Sequence, residues 1–181
     1  MRDDDSIRYN GECVTLHERN ITLGPFITDN CFLIENSIKN TKLQGFKTVE
    51  CIVFRQDDKP HLIFIEAKSS TLENNELRFD KLINNLSQKF IDSLNISFTL
   101  NTNLNKIEIH VPSNFSSFFT QNNKIIFVII FSGNINDSSG IKEVVTRRLK
   151  KQSSLLRSLI DIEVQVISKE IAINNKLAIS E

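Results

Sequence analysis

Two kinds of pattern divide this chain. Residues 49–54 (VECIVF) and 61–68 (HLIFIEAK) are short, largely apolar runs on either side of a turn, which predicts a pair of strands. Between them Gln56-Asp57-Asp58-Lys59-Pro60 is a turn by composition, with Asp57 and Asp58 as turn formers. From 72 to about 94 the period becomes helical: Leu77, Leu82, Ile83, Leu86, Phe90, Ile91 and Leu94 recur at three- and four-residue steps. Residues 124–131 (KIIFVIIF) are apolar and β-branched throughout, the pattern of a strand covered on both faces. Residues 141–160 form a second amphipathic helix with Ile141, Val144, Val145, Leu149, Leu155, Leu156 and Leu159 inward.

The remaining segments carry weaker signals. Residues 1–12 read as a frayed polar start, and 13–23 as a small hairpin turning at Glu18-Arg19-Asn20, with Gly24-Pro25 breaking what precedes. Residues 31–35 (CFLIE) read as a short strand, 106–111 as another before a loop opened by Pro112, and 133–140 as a loop. In the tail, Ile162, Val164 and Val166, then Ile171 and Ile173, suggest one or two further strands. The order β-β-β-α-β-α-β predicts a single α/β domain over residues 1–181, a mixed β-sheet flanked by helices.

Opposed residues of an antiparallel hairpin have indices of constant sum. Centring the turn on Asp58 therefore sets Glu50 opposite Glu66 and Ile52 opposite Phe64. Alternation puts Glu50, Ile52, Phe54, Leu62, Phe64, Glu66 and Lys68 on one face. Val49, Cys51, Val53, Ile63, Ile65 and Ala67 share the other, with Cys51 a buried small hydrophobe. Opposed carboxylates repel. A divalent cation between them reverses that sign, because hard cations such as Mg²⁺ take carboxylate and water oxygens.

Composition narrows the partners. The 181 residues are 40% hydrophobic and 24% charged with zero formal net charge, so attraction to nucleic acid needs a local patch. The second helix supplies one: Lys142, Arg147, Arg148, Lys150, Lys151 and Arg157 stand against the single acid Glu143. It reads as a solvated face or a phosphate-contacting ridge, with Arg147, Arg148, Lys150 and Lys151 as nucleic-acid-binding candidates. Phe115, Phe118 and Phe119 read as core or interface before base-stacking. Three cysteines without metal-ligand spacing argue against a disulfide framework or a zinc site. The acidic start lacks the apolar core of a signal peptide, and the longest apolar run, 125–131, is too short to cross a bilayer. A cytoplasmic protein with no membrane partner is the expectation.

Val49-Glu50-Cys51-Ile52-Val53-Phe54, a turn, then Phe64-Ile65-Glu66-Ala67-Lys68-Ser69 resembles the PD-(D/E)XK nuclease superfamily, of restriction-endonuclease-like fold. Its mark is an acid on one strand followed by Glu-x-Lys on the next, and the motif core here spans residues 31–94. The resemblance implies that Glu50 and Glu66 ligate Mg²⁺ (or Mn²⁺) with the backbone carbonyl of Ala67. It makes Lys68 the residue that orients or activates the attacking water. The family's first acid is usually Asp after Pro, where this chain has Val49-Glu50. Many members add a Glu from a helix before the first strand, for which Glu12, Glu18 and Glu35 are candidates, Glu35 as a possible metal ligand. Gln88 lies near a glutamine that some members carry on the following helix. The implied function is metal-dependent hydrolysis of phosphodiester bonds in DNA, or RNA as second choice, in restriction, repair or anti-phage defence. A homodimer, or a partner such as a helicase or ATPase subunit, would deliver substrate. The alternative is a nuclease-fold subunit that binds partners or nucleic acid without cutting, its Glu50, Glu66 and Lys68 forming structural ion pairs.

Overall fold

The computed structural model describes residues 7–39, 41–56, 59–69, 76–101, 109–116, 124–133, 138–152 and 161–180. Asp57, Asp58, Phe118, Phe119, Arg157 and the C-terminal part of the second helix lie outside them, as do residues 106–108 of the expected strand there.

The central apolar strand, β7 (Lys124–Phe131), sets the layering. Its Ile125, Phe127, Ile129 and Phe131 face one core, and its Val128 and Ile130 face another. It lies fourth in a five-stranded sheet ordered β4 (Cys31–Phe32), β5 (Cys51–Gln56), β6 (Pro60–Lys68), β7, β8 (Asp161–Ser168). β4, β5 and β6 pair antiparallel, whereas β6, β7 and β8 run parallel. Parallel neighbours need crossover connections. Helix α2 (Glu76–Asn101) stands between β6 and β7 in the chain, and α4 (Ser138–Gln152) between β7 and β8. Both cover one face of the sheet, where Ile83, Leu86 and Phe90 of α2 and Ile141, Val145 and Leu149 of α4 pack on Phe64 and Phe127. The Phe90 and Phe127 rings meet at 4.4 Å between centroids.

The other face carries a four-stranded antiparallel sheet, ordered β1 (Ile7–Asn10), β2 (Cys13–Glu18), β3 (Ile21–Ile27), β9 (Ala178–Ile179). Val14, Leu16, Ile21, Leu23 and Phe26 close the second core against Cys51, Ile63, Ile65 and Ala67. The architecture is therefore mixed α/β, with two sheets and five helices among the described residues.

Several expectations need correction. Residues 7–10 are not frayed; they form β1, paired with β2 from Ile7 opposite Leu16 to Asn10 opposite Cys13. The hairpin turn at Arg19-Asn20 is as expected, both residues having positive φ. Gly24-Pro25, however, lies inside β3. β9 pairs only with Thr22 and Leu23, so β3 is an edge strand from Pro25 onward and loses no ladder bond there. Gly24 is required: its φ is +101° and a Cβ would meet the Val14 carbonyl at 2.8 Å, at the bulge where Gly24 and Pro25 of β3 face Thr15 of β2. Residues 109–111 carry no strand, and a short helix, α3 (Ser113–Ser116), follows Pro112. Gly140 belongs to α4 and not to a loop. Ile171 and Ile173 lie in helix α5 (Lys169–Asn174), which starts because Ser168 Oγ accepts the Ile171 N–H at 3.3 Å. Phe115 is buried against Phe32 and Phe54.

Candidate functional site

The β5–β6 register runs from Cys51 opposite Ile65 to Gln56 opposite Pro60, with Ile52 opposite Phe64. Continuing it one step sets Glu50 beside Glu66, as the sequence predicts. Glu50 itself precedes the regular strand, and its N–H donates to the Ile65 carbonyl at 3.0 Å. The approach to β5 is held by α2. Asp92 Oδ2 accepts the Lys47 N–H at 3.1 Å, and Ser93 Oγ accepts the Val49 N–H at 2.9 Å. Ahead of the regular strand, Val49 lies in the helix-side core, not on the opposite face assigned to it by alternation.

Neither acid is on a solvated face. Glu66 is 0% exposed and Glu50 5%, because α2 lies over the β5–β6 surface. Ionised carboxylates so placed need counter-charges. Lys68, at the end of β6, forms an ion pair with Glu66 Oε1. A second ammonium comes from α2. Lys89 Nζ lies 2.9 Å from Glu66 Oε2 and 3.5 Å from Glu50 Oε1, bridging the two strands.

Glu35 completes the group. The sequence reads CFLIE as a strand, but β4 stops at Phe32 and Ile34–Ile38 form a one-turn helix, α1. Ile34 and Ile38, four apart, are both buried in the helix-side core, and Ser37 Oγ donates to the Leu33 carbonyl. The Glu35 carboxyl hydrogen-bonds that of Glu50. Burial is the main reason that the Glu50 pKa is pushed up to about 9, with the charge of Glu66 adding to the rise and that of Lys89 opposing it. For Lys89, burial disfavours the charge, but Glu66 and then Glu50 more than offset it and the pKa rises.

Oxygen donors of this kind suit Mg²⁺ or Mn²⁺. Yet among the described residues no three acids, histidines or cysteines converge as a preformed metal cage. The place between Glu50 and Glu66 is taken by Lys89.

Other candidates fall elsewhere. Ala67 lies between Glu66 and Lys68 with its side chain in the second core. Gln88 does not join the acids; its amide donates to Asp92 Oδ1 at 2.7 Å. On α4, Arg147 and Lys151 are exposed and Arg148 lies 3.7 Å from Asp80, while the Lys150 side chain is outside the description. Glu12 and Glu18 sit on the four-stranded sheet side and do not reach the cluster. Cys51 is fully buried; a hydrogen bond with Cys31 and desolvation push its thiol well above the ordinary value, which excludes a nucleophile. Lys89 was not singled out by the sequence reading. Its signal is its place on the helix wheel, beside the apolar stripe of Leu86 and Phe90. Among the described residues no helix is long and apolar enough to cross a membrane. No family model, curated protein or solved structure matches this chain.

Proposed function

We propose that this protein is a metal-dependent nuclease of restriction-endonuclease-like fold that hydrolyses phosphodiester bonds in DNA. One observation carries the reading: Glu50 and Glu66 share Lys89 across the hairpin, Lys68 pairs with Glu66, and Glu35 from the helix before the hairpin reaches Glu50. A helical acid ahead of the first strand, an acid on that strand and Glu-x-Lys on the next are the three parts of the motif. The order of antiparallel β4–β5–β6 followed by parallel β7 supports the fold. Mg²⁺ or Mn²⁺ bound here would offset charge on the scissile phosphate and lower the pKa of a water. Glu50, Glu66 and the Ala67 carbonyl would hold it, with Glu35 holding Glu50 in place. Lys68 stands beside Glu66 to place positive charge near the attacking water. Lys89 must leave the inter-carboxylate position for this set to work. A domain of this size has little surface for sequence readout, so a second copy or a helicase- or ATPase-like partner would supply specificity.

One observation favours the alternative, a binding subunit that does not cut: Lys89 already sits between the two acids as their counter-ion. Purified protein is incubated with plasmid and single-stranded DNA, with and without Mg²⁺ or Mn²⁺, beside Glu66→Ala and Lys68→Ala. Metal-dependent cleavage lost in both variants is the expected result. Equal nicking by all three proteins would sink the nuclease assignment, and no cleavage with retained DNA binding would select the alternative.

A further inference from the structure

The outer side of α2 carries a second polar site that the carboxylate cluster does not use. A groove of about 520 Å³ is lined by Lys47 on the approach to β5, by Lys81, Asn85, Ser87 and Gln88 of α2, and by Arg148 of α4. Ligand pockets commonly enclose about 300–1,000 Å³. The three cations face a single acid, Asp80, which lies 3.7 Å from Arg148. Ser87 is 3% exposed, and neither its hydroxyl nor Asn85 Oδ1 has a hydrogen-bond partner among the described residues. A buried polar atom left this way is unfavourable until a ligand satisfies it.

These features make two separate demands. The cationic lining calls for an oxyanion, preferably one that the Arg148 guanidinium can fork onto. Asn85 Oδ1 can only accept, so the same ligand must also present an N–H or O–H. Water meets the second demand without the first. A nucleotide meets both, with its phosphate on Lys47, Lys81 and Arg148 and a base amino group or sugar hydroxyl on Asn85 and Ser87. We propose that this groove binds one nucleotide unit of a nucleic-acid strand led toward the Glu50–Glu66 cluster. Asn85 lies one helical turn before Lys89, and Gln88 is its neighbour, so groove and cluster flank the same stretch of helix. The strand as source of the nucleotide rests on the nuclease reading; the binding chemistry does not.

Binding is measured in EDTA, where cleavage is silent, by anisotropy of a labelled single strand of about 12 nucleotides, with a free mononucleotide as competitor. The variants are Lys81→Gln, Ser87→Ala and, across the molecule on α5, Lys169→Gln, which removes the same charge as Lys81→Gln. Lys81→Gln should weaken strand binding roughly tenfold and lower the salt slope by about one phosphate. Ser87→Ala should weaken it severalfold with an unchanged or raised Tm, and Lys169→Gln should leave it intact. A mononucleotide that competes as strongly as the strand, per nucleotide, supports the groove with a free nucleotide as ligand. Equal losses in Lys81→Gln and Lys169→Gln, or no binding of either probe, overturn the proposal. Plasmid cleavage in Mg²⁺ separates the two readings. Binding lost in Lys81→Gln and Ser87→Ala with no cleavage by any protein keeps the groove and removes the nuclease. Cleavage by wild type with binding untouched by both substitutions does the reverse.

Discussion

Raising the pH through neutrality is predicted to destabilise the metal-free protein, and Glu50 is the cause. Its carboxyl titrates at 4.5 when unperturbed but at about 9 in the fold. Between those values the folded chain holds a proton that the unfolded chain has released. The stabilisation is therefore complete below pH 4.5 and is lost as pH rises toward about 9. Inside that window each pH unit removes about 1.4 kcal/mol, so the step from about pH 5.5 to about 7.5 removes roughly 2.7 kcal/mol. In a chain of this size that corresponds to roughly 5–11 °C in Tm. The other resolved shifts act outside the interval. Glu163 is lowered from 4.5, chiefly by its hydrogen bond with Lys124, while Lys89 and Lys124 are raised above 10.5 and Cys51 above 9.0. Urea denaturation in EDTA at three pH values across the interval, for wild type and Glu50→Gln, isolates the effect. Glutamine keeps the shape and a hydrogen bond toward Glu35 without titrating. The difference between the two slopes should equal about one proton. Parallel profiles would show that Glu50 is ionised in the fold and refute its raised pKa.

Three further substitutions test the frame around the acids. Lys89→Met removes a counter-ion from buried Glu66 and should destabilise the metal-free fold by about 3 kcal/mol; calorimetry should show tighter Mn²⁺ binding, since no ammonium has to leave, and weaker binding would contradict that. Ser93→Ala orphans the Val49 N–H that it accepts at 2.9 Å. It should cost about 1–3 kcal/mol in urea denaturation, and a neutral result would mean that α2 does not hold the approach to β5. Phe90→Ala opens a cavity against Phe127 and should cost about 3–5 kcal/mol, read the same way; a loss below about 1 kcal/mol would show that α2 is not anchored there.

The hairpin register was legible because it depends on quantities that the sequence carries directly. Two short strands joined by a turn ending at Pro60 leave few ways to oppose 49–54 and 61–68, and a slip by one residue would turn a carboxylate of one strand into the apolar second core. Glu35 was harder. A five-residue helix is too short to display a helical period, and Cys31-Phe32-Leu33-Ile34-Glu35 is apolar enough to pass for a strand. The i, i+4 pair Ile34 and Ile38 is its trace in the sequence. The buried polar residues of α2 were illegible for a different reason. Asp92 and Ser93 are buried because they accept from residues 47 and 49, more than forty positions back. Nothing local records a long-range hydrogen bond, so hydrophobic periodicity treats such positions as solvent-facing. The same blindness hides Lys89, whose partners are on β5 and β6.

Lys89 and Lys68 also decide how anything reaches the acids. Glu66 has no exposed surface, while the Lys68 and Lys89 side chains keep 16% and 15% of theirs. A group approaching from solvent therefore meets two ammoniums before it meets a carboxylate. For a phosphodiester this order is favourable, because each ammonium that turns outward to the phosphate uncovers oxygens of Glu66 and Glu50. Oxyanion and divalent cation then help one another, the first by drawing Lys89 away and the second by replacing its charge. By linkage, the factor by which a non-cleavable phosphorothioate strand tightens Mn²⁺ binding must equal the factor by which Mn²⁺ tightens the strand. A coupling of about 1–3 kcal/mol, or roughly 5–150-fold, is of the usual size. Lys89→Met should abolish most of it, since without the ammonium there is nothing for the strand to draw away. Calorimetric titrations of each ligand with and without the other measure the coupling. Equal coupling in wild type and Lys89→Met would place it in direct contact between metal and phosphate and leave Lys89 a structural counter-ion.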